Sequence, residues 1–178
     1  MELNSGYESP FFITNSDKNV AELKNAKILM YDGHITNMKQ IMPVLESVNR
    51  EGVPLLIMAS DIDGEALSTL VVNKMQGKLS ICAVKNPEFG EFKTNVMEDL
   101  AIVTGGVYVS EDMGMRLEDV NDSHLGFAER LIISKDTTTV IKGGGEKSAI
   151  SERVNNLKEQ LASDSADGNL RSRIAKLV

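Results

Sequence analysis

The sequence predicts an α/β domain: a β-sheet core flanked by helices, with a helical extension at its carboxyl end. Three observations carry this. Short Val-, Ile- and Leu-rich runs alternate with amphipathic stretches up to Ser110, the pattern of βαβ units with some parallel sheet. Two further apolar runs around Lys135-Asp136 then read as a β-hairpin. Residues 146–178 are polar and helical in character.

In chain order, residues 1–10 are polar and lack the apolar core of a signal peptide. Residues 27–31 read as the first strand. Helical periodicity covers 36–50, but Pro43 lacks an N–H and fits only the first turn of a helix. The helix is therefore expected to start near Ile41, with a turn or a separate short helix before it. A strand at 53–59, a helix at 64–76, a strand at 79–85, a helix at 91–104 and a strand at 107–110 follow. Gly52 and Gly77 each sit just past a helical pattern, where a left-handed C-cap is needed. The hairpin occupies 127–134 and 137–142. A Gly143-Gly144-Gly145 break leads to a long helix at 146–162, a Ser/Asp/Gly linker at 163–168 and a last helix at 169–178.

Size and charge narrow the classes. The 178 residues suit one domain with its own core. Net charge is −7, which repels phosphate backbones and argues against nucleic acid as a partner. A single cysteine, Cys82, excludes an internal disulfide and fits a reducing compartment. No apolar run reaches the ~20 residues that span a bilayer, so no membrane partner is expected.

Two of the expected helices carry more apolar surface than a sheet needs. Met38, Ile41, Met42, Val44, Leu45 and Val48 cover an arc of roughly 160° at the helical period. Ala66, Leu67, Leu70, Val71, Val72 and Met75 cover roughly 240°. A helix lying on a sheet needs a stripe only somewhat wider than ~100°. The surplus is either ordinary core or an exposed patch between neighbouring helices, which would mark an interaction site. Methionine and branched aliphatics suit a promiscuous version of such a site.

Catalytic chemistry is poorly supported by comparison. Residues 140–148 superficially resemble a phosphate-binding loop, but Glu146 stands where glycine must precede Lys147, and Ile141 stands at the first glycine position. His34 and His124 lack ligand-spaced partners and read as surface or capping residues, so no metal site is expected. Cys82 lies in an apolar run and reads as core. Asp61 and Asp63 precede a helix, where carboxylates cap and complement the dipole. A small-molecule-binding α/β enzyme domain using these two acids is the alternative reading.

Several blocks together resemble the apical domain of GroEL-type (group I) chaperonins. Gly6-Tyr7-Glu8-Ser9-Pro10-Phe11-Phe12 is similar to that family's G-Y-x-S-P-aromatic-F, and Met42-Pro43-Val44-Leu45-Glu46 to its L-P-V-L-E. The block from Asp63 to Lys74 is a close match to E-G-E-A-L-A-T-L-V-V-N, and Thr104-Gly105-Gly106 and the Lys135-to-Thr139 block match as well. The likeness covers nearly the whole chain. It departs at Ser5, Gln76, Glu88 and the Glu91-Phe92-Lys93-Thr94 stretch, where the family usually carries other, often basic, residues.

The resemblance implies a chaperone domain that binds unfolded polypeptides and the mobile loop of a lid co-chaperonin, with no catalytic residues of its own. Carried over by position, the binding residues are Tyr7, Phe11, Phe12, Met42, Leu45, Leu67, Val71 and Val72, with Glu46, Glu65 and Asn73 as polar positions around the groove. It further implies that residues 146–178 extend toward an intermediate domain and that the parent is a homo-oligomeric ring. ATP and magnesium would bind an equatorial domain of that parent, leaving this chain without a cofactor and monomeric by itself. A bacterial cytoplasm or an organelle matrix is the implied location.

Overall fold

The computed structural model describes residues 1–178. Its strands are β1 (Glu2–Leu3), β2 (Ala21–Asp32), β3 (His34–Ile35), β4 (Leu55–Ala59), β5 (Asp61–Ile62), β6 (Ile81–Lys85), β7 (Tyr108–Ser110), β8 (Gly126–Ile133) and β9 (Thr138–Gly143). Its helices are α1 (Met42–Glu51), α2 (Gly64–Met75), α3 (Gly90–Thr104), α4 (Lys147–Ser163) and α5 (Gly168–Leu177). The chain is thus mixed α/β, with a mixed sheet and five flanking helices.

β2 organises the main sheet, whose order is β1-β9-β8-β2-β4-β6 with β7 also on β2. Along one side, β2 pairs antiparallel with β8 over its first part and parallel with β7 over its last three residues. On its other side it pairs parallel with β4, which pairs parallel with β6. The alternating start of β2, with Glu22 and Lys24 turned outward, explains why only its uniformly apolar half stands out in the sequence. β4 and β6 are buried almost throughout, as expected of parallel strands covered on both faces.

The β2-α1-β4 and β4-α2-β6 crossovers step in one direction across the sheet, and the crossover through α3 steps back to β7. Right-handed connections therefore put α1 and α2 on one face and α3 on the other. A contiguous core cluster of 39 buried residues fills both sides. Pro43 occupies the first turn of α1, and the preceding residues form a separate 3-10 turn, Met38–Gln40. Gly52 and Gly77 adopt left-handed φ values of 70° and 72° just past α1 and α2. The hairpin turns at Lys135-Asp136, where the Ser134 N–H donates to the Thr137 carbonyl.

A strap at the amino end ties the two edges of the sheet together. β1 pairs with β9 at one edge. The chain then crosses: the Tyr7 N–H donates to the Ser134 carbonyl, and the Glu8 N–H donates to the Ala83 carbonyl in β6, at the other edge. Both edges are thereby covered. Gly6 makes this passage possible, because a Cβ there would lie 2.2 Å from the Ser134 oxygen and from the Lys135 backbone.

α4 and α5 pack on each other and fold back against α3. Their buried side chains Val154, Leu157 and Leu170 lie outside the main core cluster. Charge holds this seam instead. The Asp99 carboxylate on α3, 1% exposed, accepts from the Arg153 Nε at 2.8 Å and from the Arg173 Nε at 2.7 Å and Nη2 at 3.0 Å. No helix is long and apolar enough to cross a membrane.

Candidate functional site

α1 and α2 owe their positions to their inward stripes. Val44, Leu45 and Val48 bury one side of α1, and Ala66 and Leu70 bury one side of α2. The two-residue strands β3 and β5 pair in parallel and join the approaches to both helices. The 3-10 turn before α1 is fixed by a capping box between Asn37 and Gln40. α2 begins without a side-chain cap; only the Asp63 carbonyl serves, accepting from the Leu67 N–H.

Between these helices runs a groove of about 180 Å³. Its apolar lining comes from Met38, Met42, Leu45 and Leu79, and Glu46 and Asn73 stand among its polar residues. Met42 remains 40% exposed and Val72 51% exposed, and Met75 and Phe11 are open to solvent as well. The apolar surplus of α2 is therefore not all core. Asn73 is held in place by its amide, which donates to the Thr69 carbonyl at 2.9 Å.

Rotation along α2 separates the expected site residues into two flanks. At ~100° per residue, Asn73 lies on one side of the buried Leu70, toward α1, and Leu67 and Val71 lie on the other. On that second side α2 packs against the 3-10 turn Pro10–Phe12, and the Lys74 Nζ donates to the Ile13 carbonyl at 3.1 Å. Leu67, Val71 and Tyr7 are half-buried against the core there. Val72 points outward. Glu65 is exposed beside Met38 and Thr69 in a neighbouring depression.

Two expected residues need correction. Phe12 has no exposed surface: the two adjacent aromatics of the 3-10 turn point opposite ways, so Phe11 faces water and Phe12 enters the core. Leu45 is only 4% exposed and serves as the floor of the groove. Leu79, in the loop before β6, is a wall that sequence reasoning missed, because it was assigned to the strand. Met38 and Met75 belonged to the apolar arcs but were not singled out.

The candidates for chemistry sit elsewhere. His34 Nε2 lies 2.7 Å from the Asp63 carboxylate and 3.8 Å from that of Asp61, and Lys85 Nζ lies 3.6 Å from Asp61. The two acids are brought together around the His34 ring and the Lys85 ammonium, and the Asp63 side chain does not cap α2. No group of three or more His, Cys, Asp or Glu side chains is placed to hold a metal ion. Cys82 is buried, and burial pushes its thiol pKa up. The His124 Nδ1 accepts from the Asn121 N–H in a capping box. The glycines before α4 press against the end of α3: a Cβ on Gly145 would lie 2.0 Å from the Ile102 oxygen. That contact accounts for them without a phosphate.

No protein-family model matches the chain.

Proposed function

We propose that the chain binds non-native polypeptides through the apolar groove between α1 and α2, as the apical domain of a GroEL-type chaperonin would. One observation carries this reading. Two helices anchored by their inner stripes leave Met42 in water at a groove floored by Leu45, with Val72 and Met75 exposed elsewhere on α2. Exposed apolar surface of this kind marks an interaction site, and burying it against a client releases ~25 cal/mol per Å². The motif blocks around Gly6, Pro43 and Gly64 support the same reading.

The groove is shallow and its apolar wall is rich in methionine, which accommodates varied side chains rather than one shape. On this reading the same surface receives the mobile loop of a lid co-chaperonin. A ring of such domains multiplies weak contacts into avidity. On the same reading nucleotide hydrolysis belongs to another part of the parent, and the isolated chain is expected to sediment as a monomer. The pair Asp61 and Asp63 offers no comparable apolar pocket.

Fluorescence anisotropy of a labelled, chemically unfolded polypeptide tests the proposal. Met42→Glu combined with Val72→Glu is expected to weaken binding at least about tenfold. Phe89→Glu, at an exposed residue far along the chain from the groove, serves as the control. Wild-type affinity in the double variant would remove the groove from the account.

A further inference from the structure

Half of the apolar lining of the groove is thioether. Of the four hydrophobic residues that line it, two are methionines: Met42, at the start of α1, and Met38, in the 3-10 turn before it. We infer that Met42, with Met38 behind it, is a redox modification site: hydrogen peroxide converts the thioether to the sulfoxide, and the groove then releases its polypeptide. This inference rests on the polypeptide-binding reading and adds a regulator to it.

Access to the sulfur is the first observation. The chain carries nine methionines, and the fold sorts them. Met30, Met58 and Met97 have no exposed surface, and Met1, Met38 and Met115 are half-buried against the core. Met42, Met75 and Met113 are exposed. Of these three, only Met42 lines the groove. Met113 ends the 3-10 turn Glu111–Met113, which contributes nothing to it. Within the lining itself, Leu45 is buried, Met38 and Leu79 are half-buried, and Met42 is open to solvent. Met42 therefore offers a client its main apolar contact and an oxidant its readiest target.

The thiol chemistry of the chain is the second. Cys82 is the only cysteine, it is buried, and burial raises its thiol pKa. Reactive thiolate is thus withheld, and methionine is left as the sulfur that meets peroxide.

The Met42 sulfur attacks one oxygen of hydrogen peroxide. An S–O bond forms as the O–O bond breaks. The proton on the transferred oxygen passes to the departing hydroxide, which leaves as water. Sulfur loses two electrons and peroxide gains them. The product is a polar acceptor on what was an apolar contact. Burying it against an apolar client leaves that acceptor unpaired, which opposes binding.

Fluorescence anisotropy of the labelled unfolded polypeptide, before and after peroxide, tests the inference together with mass spectrometry of each methionine. Met42, Met75 and Met113 should oxidise first, and Met30, Met58 and Met97 last. Affinity should fall about tenfold as Met42 converts, with the thermal unfolding midpoint unchanged. Methionine sulfoxide reductase with dithiothreitol should restore it. Each variant is measured against itself. Met38→Leu combined with Met42→Leu should show one affinity before and after peroxide, and Met113→Leu should keep the tenfold fall. Oxidation of Met42 no faster than that of Met58, or binding that survives its full conversion, would overturn the inference. So would a fall that follows Met75 or Met113, persists in the Met38/Met42 pair, accompanies unfolding or resists the reductase. All of these leave the groove reading standing. An untreated chain that binds no unfolded polypeptide would remove the groove reading itself, and this site with it.

Discussion

On one face of the sheet, α1 and α2 stand apart and leave Met42, Val72 and Met75 in water. On the other, α3 is covered by α4 and α5 and holds Asp99 almost fully buried beneath two arginines. The open face is apolar and is kept in shape from behind, by the core and by the backbone strap across the sheet edges. The closed face is a lidded seam whose own apolar contacts, Val154, Leu157 and Leu170, are few and separate from the main core. The contrast teaches that exposed oil and buried charge both need support from elsewhere. A helix can show its apolar side to water only if its other side is anchored, and a carboxylate can leave water only if cations follow it.

Breaking the closed face should have the largest effect. Asp99→Asn removes one partner of a buried cluster and leaves Arg173 charged and uncompensated, which costs about 3–5 kcal/mol. Denaturant unfolding measures the total. Hydrogen exchange locates it, and the loss of protection should concentrate in α4 and α5 and spare β2, β4 and β8. Equal loss everywhere would mean that the two faces unfold as one unit.

That cluster was invisible in the sequence for a simple reason. Arg153 and Arg173 lie 54 and 74 positions from Asp99, and no local period links them. Legible features were those written in short-range physics. Pro43 and Gly52 bounded α1, the Lys135-Asp136 turn bounded the hairpin, and the alternation of runs gave the α/β class. The two-residue strands β1, β3 and β5 are too short to show a period. At the groove, the apolar surplus of α2 was legible as an arc. Its division into a groove flank at Asn73 and a strap flank at Val71 depends on what packs alongside, as does the choice between Phe11 and Phe12.

The open face can be broken from behind at the strap. Gly6→Ala places a methyl group 2.2 Å from carbonyl oxygen and backbone that the strap itself bonds, in a place where no flexible side chain can yield. A loss of about 2–3 kcal/mol is expected by thermal or denaturant unfolding. Because the strap continues into the 3-10 turn against α2, polypeptide binding should fall with stability in this variant. A fully stable Gly6→Ala protein would show that the edges are held together by something else.

Val71 sharpens the comparison within α2 itself. It is half-buried against the core on the strap flank, whereas Val72 beside it is exposed. Val71→Asp places a carboxylate on a half-buried apolar flank whose neighbouring cation, Lys74, is already engaged by the Ile13 carbonyl, and should destabilise the fold by about 1–2 kcal/mol. Val72→Asp should leave stability within about 0.5 kcal/mol. Binding assays on both, corrected for the unfolded fraction, separate direct contact from support. Equal destabilisation by the two would mean that α2 has no open side.

Glu8 gives the smallest and most specific effect. Its N–H closes the strap onto β6, and burial of its side chain raises the carboxyl pKa above the ordinary glutamate value, with Lys85 opposing and Asp61 adding to the rise. A raised folded-state pKa means that the folded state holds the proton more tightly than the unfolded chain. The stabilisation linked to this group is therefore fully present below the unfolded glutamate range and is lost as pH rises through the folded value. At neutral pH the ionised side chain thus costs stability. Glu8→Gln should recover a few tenths of a kcal/mol there after solvent screening, and the gain should shrink as pH falls through the carboxylate range. Paired unfolding curves at several pH values measure the difference. A gain that does not shrink on acidification would assign the effect to packing and leave no role for the buried charge.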